Sequence, residues 1–277
     1  MPKGLALTIG LNSVSSVHYD GWSGELTACE ADAQDMAEVA RSRKFSVKSL
    51  LTKAATRKNV MSQLVKAASV LKADDIFMLS YSGHGGQIPD MNKDEDDHQD
   101  ETWCLYDGQL IDDELYWLLG KFAAGMRILV FSDSCHSGTV TKAAFYRGSA
   151  APRSAAAGSP ETRYRAMPPE AALRAYRKNK KFYDTLQKNP MLAKAEDSVK
   201  ASVLLISGCQ DNQLSSDGTF NGLFTGTLLQ VWTEGKSSNY RKFYEAITKR
   251  MPPDQSPNYY WVGKANKRFE KQKPFTI

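Results

Sequence analysis

Apolar positions along this chain come in two textures that alternate. Residues 5–10, 75–81, 127–132 and 203–207 are short, nearly continuous apolar runs, the pattern of strands buried on both faces, and residues 46–51 form a further short strand candidate. Elsewhere the apolar residues recur at helical spacing: over residues 27–43, over 54–72 with Val60, Leu64, Ala67, Ala68 and Leu71 on one stripe, and over about 112–122. Strand and helix alternating in this way predict a mostly parallel sheet flanked by helices. Beyond residue 142 the strand signal fades. Residues 148–160 have the Ala, Ser, Gly and Pro content of a mobile loop, and residues 169–187 predict one basic helix. Helices near 222–232 and 239–250 follow the 203–207 strand, and Pro252-Pro253 closes the last of them.

Composition narrows the class. With 277 residues and 42% hydrophobic content, the chain can bury a full core, as one large domain or two small ones. The early apolar stretch, residues 5–11, is too short to span a bilayer and lacks a signal-peptide cleavage pattern, so a soluble cytoplasmic protein with no membrane partner is expected. Four cysteines without a Cys-x-x-Cys pair give neither a disulfide framework nor a zinc signature. The net charge of +5 is unevenly spread: −7 over residues 1–141, +8 over 142–200 and +4 over 201–277. An acidic field concentrates cationic substrates. The basic second half raises the alternative of a nucleic-acid-associated protein, but no binding motif or aromatic-basic interleaving accompanies it, and no nucleic-acid partner is expected.

Two segments carry the chemistry: Tyr81-Ser82-Gly83-His84-Gly85-Gly86 and Asp133-Ser134-Cys135-His136-Ser137-Gly138, each ending an apolar run. Neighbouring parallel strands bring their C-terminal ends together, where ligand sites in open α/β sheets lie. His84 and Cys135 would then meet as a thiolate-imidazolium pair, the imidazole making the thiol an efficient nucleophile. His136 is a rival base, but its side chain, adjacent in sequence to Cys135, should point elsewhere.

These two segments resemble the catalytic motifs of metacaspases, called orthocaspases in prokaryotes, within the caspase-like cysteine peptidases. Ala28-Cys29-Glu30-Ala31-Asp32-Ala33, residues 109–115 and residues 206–213 are similar to further family segments in the same order. The resemblance implies a caspase-like three-layer α/β sandwich, with a large-subunit-like region over residues 1–141, a basic linker or lid over 142–200 and a small-subunit-like region over 201–277. It implies a cysteine endopeptidase with Cys135 as nucleophile, His84 as its partner, and the backbone N–H groups of Gly85 and Cys135 as oxyanion donors. It places Cys29, Asp32, Ser82 and Asp133 around the residue before the scissile bond, so that peptides and proteins are cut after Arg or Lys; a carboxylate two positions before the nucleophile suits such a cation. No organic cofactor is needed, and a monomer is expected. The chain begins almost at its first strand, so the Pro-rich or zinc-finger segment that precedes some metacaspases is not expected.

Asp90, Asp94, Glu95, Asp96, Asp97, Asp100 and Glu101 crowd one loop, a density that favours a hard cation such as calcium, although the spacing is not that of an EF-hand. The resemblance implies calcium activation through Asp100, Asp112 and Asp113. A further acid of the family's site is Lys142 here, and an ammonium opposes a cation. Arg147, Arg153, Arg163 and Arg165 lie in a segment expected to be exposed, where a basic-residue peptidase would cut itself. Until cut, this segment would occupy the acidic cleft, making the uncleaved chain a zymogen. A catalytically silent caspase-like scaffold is the remaining alternative, against which the intact His84 and Cys135 count.

Overall fold

A computed structural model describes residues 2–91, 98–134, 164–192, 194–208, 217, 218, 220–253 and 255–277 of the chain. Its strands are β1 (Gly4–Gly10), β2 (Ser46–Leu51), β3 (Ile76–Ser82), β4 (Gly85–Pro89), β5 (Gln99–Leu105), β6 (Gly108–Ile111), β7 (Arg127–Asp133), β8 (Ser202–Ser207) and β9 (Asn258–Gly263). Its helices are α1 (Cys29–Ser42), α2 (Arg57–Val70), α3 (Asp112–Leu119), α4 (Pro169–Lys178), α5 (Lys180–Gln187), α6 (Leu223–Glu234), α7 (Tyr240–Thr248) and α8 (Lys267–Lys271). The main sheet runs β2-β1-β3-β7-β8-β9, parallel throughout except for antiparallel β9.

The apolar runs became strands because both faces are covered. Leu7, Ile9, Phe77, Leu79, Ile128 and Val130 point into a core closed by Val60 and Leu64 of α2 and Leu118 of α3. Alternate positions Ala6, Ile76, Met78, Leu129 and Phe131 point the other way, against Met36 and Val39 of α1, Phe224 and Leu228 of α6, and Phe243 and Ile247 of α7. The period of two along each strand thus feeds two cores, giving the three-layer caspase-like sandwich. Among the described residues no helix is long and apolar enough to cross a membrane.

Three local expectations need correction. The predicted basic helix over 169–187 is two helices, α4 and α5, which break at Asn179; its side-chain amide donates to the carbonyls of His18 (2.9 Å) and Ala175 (2.8 Å). These helices are docked through buried Ala171, Ala175, Tyr176 and Tyr183. The acidic loop ends sooner than expected, because Asp100 and Glu101 belong to β5 of a small antiparallel sheet, β4-β5-β6. β9 forms the far edge of the main sheet where no strand was expected.

Candidate active site

Three strand and helix ends converge. β3 and β7 pair in parallel with Ser82 opposite Asp133, so Gly83 and Ser134 leave the same end of the sheet. α1 starts beside them, with Cys29 and Asp32 in its first turn. Gly10 at the end of β1 permits this approach, since a Cβ there would lie 2.2 Å from the Cys29 carbonyl oxygen.

His84 follows β3 and is buried, its ring 4.8 Å from that of Trp22. Nε2 lies 3.1 Å from the Gly24 carbonyl, which can only accept; this fixes Nε2 as the protonated nitrogen and leaves Nδ1 the basic one. Nδ1 is buried without a hydrogen-bond partner among the described residues. Burial pushes the pKa of His84 down to about 4; the Gly24 carbonyl opposes the shift and the positive charge of Arg165 adds to it. The ring is therefore a neutral imidazole at pH 7, able to accept a proton.

The next peptide unit is held from behind. The His84 carbonyl accepts from the Cys104 N–H (2.9 Å) and the Tyr81 hydroxyl (2.7 Å). In a planar trans peptide the N–H points opposite to the C=O, so these two bonds aim the Gly85 N–H into the cleft. There it donates to the carbonyl oxygen of Arg165 at 2.9 Å, while the Met167 N–H donates to the Gly85 carbonyl at 2.7 Å. Residues 165–167 thus lie along Gly85 in a parallel β-bridge centred on Ala166.

Arg165, expected in exposed chain, is fully buried, and its side chain fills the pocket formed by the predicted acids. Nη1 lies 2.9 Å from Asp133 Oδ2 and donates to Ser82 Oγ at 2.8 Å. Nη2 donates to Asp32 Oδ2 at 2.7 Å and Asp217 Oδ1 at 2.9 Å. The carboxylates are fixed in turn. Asp32 accepts from Ser82 Oγ (2.7 Å) and the Gly222 N–H (3.0 Å), Asp133 from the Thr225 hydroxyl (2.7 Å), and Asp217 from the Thr27 N–H (2.8 Å) and hydroxyl (2.9 Å). Gly222 closes over the guanidinium so tightly that a Cβ would sit 2.5 Å from its carbon. Burial raises the Asp32 pKa although Arg165 opposes it, and burial with Asp32 nearby pushes the Cys29 thiol up to about 12, which suits Cys29 to a neutral wall and not to a second nucleophile. Burial pulls against Arg165's charge, but Asp133, Cys29, Asp32 and Asp217 together hold its pKa well above the ordinary value.

Sequence reasoning missed Asp217, Gly222 and Thr225, which arrive after β8. Asp217 stands alone among small polar residues, with no local motif to single it out. The predicted cation ligands Asp100, Asp112 and Asp113 lie on β5 and in the first turn of α3. Asp100 is bound by Gln187 Nε2 at 2.6 Å, and among the described residues no three His, Cys, Asp or Glu side chains converge as a metal site. Asp112 is half-buried close to Glu101, Asp113 and Asp100; desolvation first, then their charges, raise its pKa well above the carboxylate range. Cys135, Arg147, Arg153, Arg163, Lys142 and Asp94 to Asp97 lie outside the described residues.

A mostly parallel six-stranded sheet between helical layers, with His84 leaving one central strand beside the end of the next, defines a caspase-like protein. The chain belongs to the caspase-domain family, whose model matches residues 3–274. It is 27% identical to Metacaspase-1 of Coccidioides immitis over 93% of its length and 60% of the relative's. To Metacaspase-1 of Schizosaccharomyces pombe it is 29% identical over 87% and 62% respectively, so the chain spans about three fifths of these relatives. The crystal structure of protein GSU0716 from Geobacter sulfurreducens is similar over 100% of this chain and 99% of its own, with 59% identity and a TM-score of 0.87. Caspase-1 from Spodoptera frugiperda shares the fold at a TM-score of 0.57 and 12% identity, over 99% of this chain and 92% of its own.

Proposed function

We propose that the protein is a cysteine endopeptidase that cuts after Arg or Lys, and that the Arg165–Ala166 bond of its own chain is its first substrate. The observation that carries this reading is the seating of Arg165: its guanidinium is bound by three carboxylates, and its carbonyl oxygen receives the Gly85 N–H, where an oxyanion would form. In the proposed reaction His84 takes the Cys135 thiol proton and the thiolate attacks the Arg165 carbonyl carbon. The oxyanion is stabilised by the Gly85 and Cys135 amides, the former already aimed by the bonds to the His84 carbonyl. Protonated His84 then gives its proton to the Ala166 nitrogen as the C–N bond breaks, and water hydrolyses the thioester. Of the four arginines expected as cut sites, Arg165 is the one among the described residues, and its seating supports a cut there. The division of charge supports the same reading, because Arg165 brings the basic segment into the acidic one.

Calcium activation belongs to the proposal as well: Asp100, Asp112 and Asp113 supply hard oxygen donors, and a cation would relieve the repulsion around Asp112. The test is to incubate wild-type and Cys135→Ala proteins with calcium or with chelator and to sequence the new N-termini by mass spectrometry. Peptides ending in Arg, Lys and Asp before a fluorogenic group are assayed in parallel. A new N-terminus at Ala166 in the wild type alone, with turnover of basic peptides, is expected. An intact wild type that turns over no basic peptide under either condition refutes the reading.

A further inference from the structure

We infer that Asp217 is a third substrate-contacting carboxylate of the pocket and makes it selective for arginine over lysine; this rests on the reading that the pocket takes the residue before the cut. The pocket grips both ends of a fork. Nη1 is held by Asp133 and Ser82, Nη2 by Asp32 and Asp217, whereas Nε is buried with no partner among the described residues. Recognition therefore falls on the two terminal nitrogens, which only a planar guanidinium presents together.

A lysine ammonium would be a poor substitute for a geometric reason. Its nitrogen follows four methylenes and so reaches about as far as the guanidinium carbon, one bond short of both terminal nitrogens. From there it cannot contact Asp133 on one side and the Asp32–Asp217 pair on the other at hydrogen-bond distance. Asp217 matters most to this discrimination because it serves the Nη2 limb alone. Asp32 also holds Ser82 and the Gly222 N–H, so its loss would disturb the whole pocket. Asp217 enters after β8, and its other oxygen is tied to the Thr27 backbone and hydroxyl just ahead of α1, which presents Oδ1 to the guanidinium without freedom to turn away.

Two measurements test this. The first is kcat/KM for matched peptides ending in Arg or Lys, on the wild type and on Asp217→Asn, which keeps the side-chain shape but not the charge. Wild type should prefer Arg by roughly tenfold or more, and Asp217→Asn should lower the Arg value by roughly ten- to a hundredfold, the size of a charged hydrogen bond, while changing the Lys value much less. Equal losses on both peptides, or no loss on Arg, overturn the inference. The second needs no turnover: a double-mutant cycle of Arg165→Lys and Asp217→Asn on unfolding stability in the Cys135→Ala protein. Each single variant should destabilise, and the double should lose little more than the worse single. Strict additivity overturns the inference. Coupling in the cycle together with no turnover of either peptide by wild type would leave Asp217 as the arginine-reading group and refute only the peptidase reading.

Discussion

Replacing Arg165 by Met in the Cys135→Ala protein isolates the pocket contacts from any cleavage. Met keeps much of the apolar bulk and removes the charge, leaving Asp32 and Asp133, both about 1% exposed, without their cation. Deleting one partner of a buried ion pair costs about 3–5 kcal/mol because the remaining charge stays desolvated. For a domain of this size that corresponds to a fall in Tm of roughly 10 °C. The loss should depend on pH. Burial already raises the pKa of Asp32 with Arg165 present, so without the guanidinium its carboxyl should be the first to take up a proton, and the penalty should shrink between pH 7 and pH 5. Urea unfolding of the Cys135→Ala protein with and without Arg165→Met, at both pH values, reads this directly. A loss below about 1 kcal/mol at pH 7, or one that does not shrink at pH 5, would refute an arginine buried among three carboxylates.

Two further outcomes follow from buried titratable and charged groups. His84 titrates at about 4 in the folded chain against 6.5 unfolded, so between those values the unfolded state binds more protons; its contribution to stability is complete above pH 6.5 and falls by about 3 kcal/mol as pH drops to 4. His84→Asn should flatten the pH dependence of urea unfolding over that window, and parallel curves for the two proteins would refute the assignment. Arg57 forms a two-point bridge to buried Glu114 at 2.8 and 2.6 Å, so Arg57→Met should cost about 3–5 kcal/mol in urea unfolding. Adding Glu114→Leu should restore most of it; no recovery in the double variant would mean the loss came from packing.

What could be read from the chain divides by physics. β1, β3, β7 and β8 were legible because strands buried on both faces must be apolar at nearly every position. The small sheet was not, because Gly85 and Gly86 carry no side chains to reveal a period. Its inward face includes buried polar residues, the Thr102 hydroxyl donating to Gln109 Oε1 at 2.7 Å, which hides the period. β9 is an edge strand whose Tyr259, Tyr260 and Trp261 are only partly buried, so neither texture marks it. Docking of the basic segment was hidden by its charge, since Ala171, Ala175 and Tyr183 are too few to form a conspicuous stripe among lysines and arginines. In the pocket, Asp32, Ser82 and Asp133 sit in recognisable motifs, whereas Asp217 gains its role only when the chain returns after β8.

The same bonds that would recognise a substrate hold the closed form together, and this links stability to activity. Arg165 is tethered at both ends: its own chain leads in from one side, and on the other the Met167 N–H is bonded to the Gly85 carbonyl, ahead of docked α4. A tethered ligand acts at a local concentration on the order of millimolar, which a dilute external peptide cannot match. Cutting Arg165–Ala166 would remove the second tether without breaking any contact of the guanidinium. Arg165 would then leave with an ordinary dissociation rate. On this argument activation is a release step that follows the cut, so activity towards external peptides should lag behind the appearance of the Ala166 terminus. Simultaneous rise of the two would refute a slow release step, and activity that rises before the Ala166 terminus would mean that the pocket empties without cleavage.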